Sequence, residues 1–197
     1  MKSQIILASQ SEARLRMLVA AGIDAVARPS GVDEAALKEA QRGSLPPEML
    51  ALLLAKAKAI AVAAHENQLV IGADQILALG DRMLDKPRSL AEARQQLLDL
   101  RGKTHRLVSA AAVARNRQVI WAHSDVAELA MRDFTDASLS EYLSALGEEA
   151  LTSVGAYKVE SCGIQLFERI AGDYFTILGL PLLPLLAFLR SAGCLQN

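Results

Sequence analysis

Cysteine, histidine and excess charge are all scarce in this chain. Only two cysteines, Cys162 and Cys194, occur among 197 residues. They are far apart and lack metal-type spacing, so reduced thiols are expected rather than a disulfide framework. The three histidines, His65, His105 and His123, are scattered and define no zinc site. Lysine plus arginine (21) nearly cancels aspartate plus glutamate (22), which leaves no global positive field to draw the protein to nucleic acid or an anionic membrane. Any anion site must be local. The greasiest region, residues 175–189, carries Pro181 and Pro184 and is shorter than the roughly 20 apolar residues a membrane span needs. One lysine and a short apolar run before Ser9 are too little for a signal peptide. No internal repeat, linker or low-complexity tract is present, and the Gly-Lys-Ser/Thr ending of a Walker A loop is missing. These absences together predict a cytoplasmic protein with neither a nucleic-acid nor a membrane partner.

What the chain does have is apolar content, 52%, enough to bury a full core as one folding unit over residues 1–197. Residues 4–8 read as a buried strand. Ser11 is the natural N-cap of a helix carrying Leu15, Leu18 and Val19 and closed by Gly22. An extended piece around 24–28 leads to a polar loop at 29–34 and a variable stretch ending in Pro46-Pro47. Those prolines suit the first turn of a long helix with an apolar stripe of Leu50, Leu53, Leu54, Ala57, Ile60 and Ala61, flanked by Lys56 and Lys58. A second buried strand at 69–73 continues through 76–79 to a turn at Gly80-Asp81. Ser89 and Glu92 form a capping-box signature for a helix to about Leu100. Two strands, 104–115 and 118–131, join at Asn116-Arg117 as a hairpin. Ser138 and Glu141 mark another capping box with Gly147 as the stop, and an apolar helix follows Pro181. Alternating strands and helices with one long hairpin predict an α/β fold, a mixed twisted sheet flanked by helices.

Two segments suit phosphate chemistry. In Ile71-Gly72-Ala73-Asp74-Gln75 an isolated carboxylate ends an apolar run, and Asp85-Lys86-Pro87 returns a lysine from the next turn. In Ala8-Ser9-Gln10-Ser11-Glu12-Ala13-Arg14 a strand runs into a helix, so hydroxyls, orphan helix N–H groups and an arginine meet where the helix dipole attracts anions. The plainer reading is that Ser11 only caps the helix and Arg14 is solvated. Asp33 and Glu34 are candidate oxygen ligands for a magnesium ion, which takes one or two carboxylates plus substrate phosphates; as paired acids before a helix they equally suit its dipole. Asp74 resists such a reading, because desolvating a carboxylate is costly and is retained for a hydrogen bond, a cation or catalysis. Lys56, Lys58 and Lys86 are candidate cations, with Lys58 taken alone read as a solvated helix flank and Lys86 aimed by the extended backbone that Pro87 imposes. The stretch 155–160, Gly-Ala-Tyr-Lys-Val-Glu, resembles a loop beside a site.

In their order along the chain these segments resemble the Maf family of nucleoside triphosphate pyrophosphatases: Leu7-Ala8-Ser9-Gln10-Ser11, Val32-Asp33-Glu34, Lys56-Ala57-Lys58, Gly72-Ala73-Asp74, Asp85-Lys86-Pro87, Gly102-Lys103-Thr104-His105, Gly155-Ala156-Tyr157, Phe167-Glu168-Arg169-Ile170 and Gly179-Leu180-Pro181-Leu182. The resemblance implies an inosine-triphosphatase-like, two-lobed architecture with a central cleft, and hydrolysis between the α and β phosphates of a nucleoside triphosphate with a divalent cation, Mg²⁺ or Mn²⁺. It implies that Asp74 is the proton acceptor for the attacking water and, with Glu34, a metal ligand. Ser9, Ser11, Arg14, Lys56 and Lys86 would bind the triphosphate, and a homodimer would form. Gln75 and Glu160 stand where many relatives have threonine and glutamine; both resemble the branch that prefers 7-methyl-GTP over the one that prefers dTTP and UTP. A carboxylate at Glu160 suits a guanine edge, whose ring N–H and amino group donate. The early motif departs from both branches, because Ala13 removes a large side chain expected to help define the base. Leu15 replaces a final arginine, with Arg16 one position on. The rival reading is a non-catalytic nucleotide-binding regulator of septum formation or cell division. A sugar-phosphate phosphatase is disfavoured because an aspartyl nucleophile motif is absent.

Overall fold

Strand β1 (Ile5–Ala8) is apolar at every position and buried at every position, as expected of a strand covered on both faces. The computed structural model describes residues 4–41, 43–62, 64–66 and 68–195; Lys2, the lysine of the N-terminal stretch, lies outside them. Among the described residues the elements run β1, α1 (Glu12–Ala20), β2 (Ala25–Ala27), α2 (Glu34–Ala40), α3 (Pro47–Ala61), β3 (Leu69–Leu79), β4 (Arg82–Leu84), α4 (Leu90–Leu100), β5 (Thr104–Arg115), β6 (Gln118–Met131), α5 (Asp136–Leu146), β7 (Phe167–Ala171), α6 (Tyr174–Ile177) and α7 (Leu182–Ser191), with three short 3-10 turns between α5 and β7. The sheet has the order β2-β1-β3-β5-β6-β7, with β4 also paired to β3. β1 runs parallel to β2 and β3, while β3–β4 and β6–β7 are antiparallel. The fold is therefore a mixed α/β sheet with helices, in agreement with the sequence. No helix among the described residues is long and apolar enough to cross a membrane.

The chain divides into two compact units. The first comprises Met1–Gln75, Val108–Asp125 and Tyr174–Asn197. Its strands are read at period two. Ile5, Leu7, Leu69, Ile71, Ala73, Ala111 and Val113 share one apolar cluster with Leu18 of α1 and Leu185 and Leu189 of α7. The alternate positions Ile6, Ala8 and Val70 pack with Val62 beyond α3. The buried stripe of α3 is Leu50, Ala51, Leu54, Ala55, Lys58 and Ala59, rotated from the stripe of larger residues that the sequence suggests. Gly72 explains the rotation. A Cβ there would lie 2.1 Å from the Ala55 carbonyl oxygen and 2.5 Å from the Ala59 nitrogen, so the helix needs its alanine face against this strand. We expect Gly72→Ala to destabilise the protein by about 3 kcal/mol, the upper range for overpacking against backbone; a urea midpoint equal to the parent's would refute this close approach.

Several local expectations are corrected. The polar stretch after residue 33 contains helix α2, capped by Asp33, whose Oδ1 accepts from the Ala36 N–H at 2.9 Å. β3 continues through Ile76–Leu79 as expected and runs unbroken across Asp74, so that carboxylate lies within the strand rather than at the end of an apolar run. α5 is capped by Thr135 rather than Ser138; the serine lies three residues on and donates its backbone N–H to the Thr135 hydroxyl at 3.2 Å. The hairpin turn is as expected, and Asn116 and Arg117 both have positive φ (51° and 61°), as a two-residue primed turn requires.

The second unit comprises Ile76–Leu107 and Val126–Asp173. Its core includes Leu97 and Leu100 of α4, Leu107 of β5, Leu129 of β6 and Leu139 of α5. The loop carrying Gly155 and Ala156, both at positive φ, is held by three hydrogen bonds. Tyr142 Oη donates to the Ala156 carbonyl at 3.2 Å, Ser153 Oγ donates to the Tyr157 carbonyl at 2.8 Å, and His105 Nε2 and Tyr157 Oη lie 2.6 Å apart. His105 is 1% exposed, and burial pushes its ring from the ordinary 6.5 down to about 4. The folded state thus keeps the ring neutral where the unfolded chain protonates it. The resulting stability is complete above the unfolded value and is lost as pH falls towards about 4. We expect the loss to be about 2 kcal/mol between about pH 6.5 and about pH 5, read as a falling urea midpoint; a flat midpoint across that window would contradict the neutral ring.

Candidate active site

The parallel pairing of β1 with β3 ends at Ala8↔Gly72. Beyond it β1 turns into α1, and β3 carries Asp74 two residues past the last pair, at the carboxyl end of the parallel strands where open α/β sheets bind ligands. Period two points Asp74 to the same face as Val70 and Gly72, the face of α3. There its Oδ1 accepts from Lys58 Nζ at 2.6 Å, and the same ammonium meets Glu34 Oε1 at 2.8 Å. The lysine and aspartate side chains are 7% and 6% exposed, Glu34 43%. Asp74 Oδ2 is buried and has no hydrogen-bond partner. A fully desolvated carboxylate oxygen without a donor is costly, so this atom is the one in the cluster that a ligand, proton or cation would satisfy.

α1 supplies the other half. Ser11 caps it, accepting from the Arg14 backbone N–H at 3.4 Å, and Ser9 Oγ accepts from the Ser11 N–H at 3.1 Å. Arg14 is not solvated. Its Nε donates to the Gly179 carbonyl at 2.8 Å, and its Nη1 donates to the Ala73 carbonyl at 2.9 Å and to Ser9 Oγ at 3.4 Å. Burial lowers its pKa, while the charges of Asp74 and Glu34 act in the opposite sense. The guanidinium of Arg14 is therefore partly committed to backbone through Nε and Nη1, and Nη2 is the nitrogen left for a ligand. Ser9 accepts two hydrogen bonds, which leaves its O–H as a donor.

Lys58, read from the sequence as a solvated flank, is the buried cation of this group, whereas Lys56 is exposed. The available signal was the small-residue register: Ala51, Ala55 and Ala59 fall at i, i+4 and i+8, and Lys58 lies beside them on the same face. Glu34 is the first residue of α2, and Asp33 is spent on its cap. Ala13 is half-buried on the first turn of α1, and Arg16, 68% exposed, pairs with Glu12 at 3.4 Å. Gln75 faces away from α3 and donates through Nε2 to Ser109 Oγ (3.0 Å), the Thr176 carbonyl (3.2 Å) and the Ile177 carbonyl (2.9 Å). Lys86 and Glu160 belong to the second unit and are both exposed. The loop of Lys86 is anchored by Gln96, whose Nε2 donates to the Asp85 carbonyl at 2.9 Å.

The arrangement defines a class: an α/β protein with a partly unsatisfied aspartate, an ammonium and a hydroxyl-rich helix start at the ends of parallel strands, suited to an anionic, phosphorylated ligand. The sequence model described as "Maf-like protein" matches residues 4–192, and the chain belongs to that family. It is 52% identical over 191 residues to a nucleoside triphosphate pyrophosphatase of Bradyrhizobium diazoefficiens, covering 96% of this chain and 94% of the relative. It is 49% identical over 199 residues to a 7-methyl-GTP pyrophosphatase of Mesorhizobium japonicum, spanning both in full. A nucleoside triphosphate pyrophosphatase of Caulobacter vibrioides is 50% identical over 192 residues, covering 97% and 96%.

Proposed function

We propose that this chain is a nucleoside triphosphate pyrophosphatase that hydrolyses the α–β phosphoanhydride to a monophosphate and pyrophosphate, in a house-cleaning role directed at modified or methylated triphosphates. The relatives' names support the activity over a non-catalytic regulator. The observation that carries the assignment of roles is the unsatisfied Asp74 Oδ2. With Oδ1 held by Lys58, Oδ2 is the acceptor for a proton of the attacking water. The water oxygen bonds to phosphorus, the bridging P–O bond breaks, pyrophosphate departs, and the water's proton passes to Asp74. Ser9 O–H, the first N–H groups of α1 and Arg14 Nη2 bind phosphate oxygens, where positioning and charge stabilisation carry most of phosphoryl chemistry.

Within the cluster the formal charges of Asp74, Glu34, Lys58 and Arg14 cancel, so a polyanionic triphosphate needs further positive charge. Glu34 and the second lone pair of Asp74 Oδ2, the one not taken by the water's proton, fit a divalent cation, Mg²⁺ or Mn²⁺, as oxygen ligands of the number such an ion takes from protein. Bound there, the cation would offset charge on the phosphoryl oxygens. Lys86 and Lys56 are assigned to triphosphate binding, and Ala13, Gln75 and Glu160 to base choice, on the family resemblance. Product analysis tests the reading: magnesium with GTP, 7-methyl-GTP, dTTP, UTP and CTP, following pyrophosphate and orthophosphate separately. Pyrophosphate release with the methylated purine preferred is expected. Faster cleavage of dTTP and UTP would overturn the branch, and no release with any triphosphate would overturn the activity.

A further inference from the structure

The amide orientation of Gln75 is decided by its neighbours. Two of the atoms around Nε2 are backbone carbonyl oxygens, of Thr176 and Ile177, which can only accept, so the NH₂ end must face them. The third, Ser109 Oγ, donates its own proton to the Thr176 carbonyl at 2.7 Å and therefore turns a lone pair towards Gln75. Ser109 and Thr176 are fully buried. Thr176 is fixed in turn, its Oγ1 donating to Asp125 Oδ2 at 3.0 Å. Both amide hydrogens are consumed inside the protein, and Oε1 is left as the polar end of Gln75 that a ligand can meet.

Gly179 keeps that end uncrowded. At φ +99° it has no side chain where a Cβ would lie 3.6 Å from Gln75 Oε1 and 3.3 Å from Arg14 Nη2. A hydrogen-bond acceptor and a donor thus flank the same glycine. We infer that Ser109 and Thr176 are positioning residues that lock the Gln75 amide with its oxygen outward, so that this position can accept from an N–H group of the base and cannot donate to a base carbonyl. The inference rests on the reading of Gln75 as base-facing and goes beyond it by naming what sets the polarity of the contact. A glutamine free to flip would offer either end and discriminate less.

The test uses ¹⁵N-labelled full-length protein and two variants, Ser109→Ala and the isosteric Thr176→Val. The side-chain amide signals of Gln75, assigned by their loss in Gln75→Met, should exchange slowly in the parent and about threefold to tenfold faster in Ser109→Ala, the range that one net hydrogen bond is worth. Over the same triphosphate panel, the ratio of kcat/KM between the preferred and the poorest base should contract by a similar factor, with KM for the preferred base rising more than kcat falls. Thr176→Val should move both readouts the same way if Ser109→Ala does not fold. Unchanged Gln75 exchange in the variants overturns the lock. Faster exchange with unchanged base discrimination overturns its role in specificity. A parent that cleaves no triphosphate overturns the activity reading and the specificity claim with it, while the exchange data still decide the lock.

Discussion

Replacing Asp74 by asparagine is expected to lower turnover by about 10²–10⁴-fold, the usual contribution of a positioned general base, and to leave nucleotide affinity within a few-fold of the parent. The substitution keeps the size of the side chain and an oxygen to accept from Lys58, which is 2.6 Å from Asp74 Oδ1. It removes the charge and the basicity of Oδ2, the buried atom without a partner. Single-turnover kinetics with equilibrium binding separate the two effects: a purely structural aspartate would weaken both together. Near-parental turnover in this variant would show that the proton goes elsewhere.

The second large effect is expected at Lys58. Lys58→Met fills the same volume with an apolar chain but strips Asp74 and Glu34 of the ammonium that bridges them at 2.6 and 2.8 Å. Breaking one side of a buried ion pair costs about 3–5 kcal/mol, and loss of a preorganised charge at a phosphoryl site costs about 10²–10³ in turnover. Lys56→Met, two residues away and exposed, should lose far less of either. Urea midpoints and kcat measured on both variants decide between them. If the Lys56 variant is the more damaged, the buried pairing is not the working arrangement.

Much of the fold was legible because it rests on local chemistry. Ser11 and Ser89 cap the helices assigned to them, Gly22, Gly102 and Gly147 take positive φ at the helix ends, and the hairpin strands have the bounds read from the sequence. The misses share one cause. α2 begins at an Asp-Glu pair that looks like a loop, and α5 has two overlapping cap signals, so local chemistry alone was ambiguous. At the site, Asp74 stood out because an acid in an apolar strand needs a reason. Lys58 did not, because a helical lysine usually reaches water, and only the Gly72 contact turns the alanine face of α3, and the lysine on it, towards β3.

The sequence by itself determined the α/β class, the family, and the residue types that suit a nucleoside triphosphate, since periodicity, caps and ordered motifs are written in neighbouring residues. Tertiary structure alone decided which lysine meets Asp74, that Arg14 turns inward to the carbonyls of Ala73 and Gly179, and which end of the Gln75 amide is offered. Each of those depends on groups tens of residues apart meeting within hydrogen-bond distance, and on the burial that makes an unpaired polar atom costly.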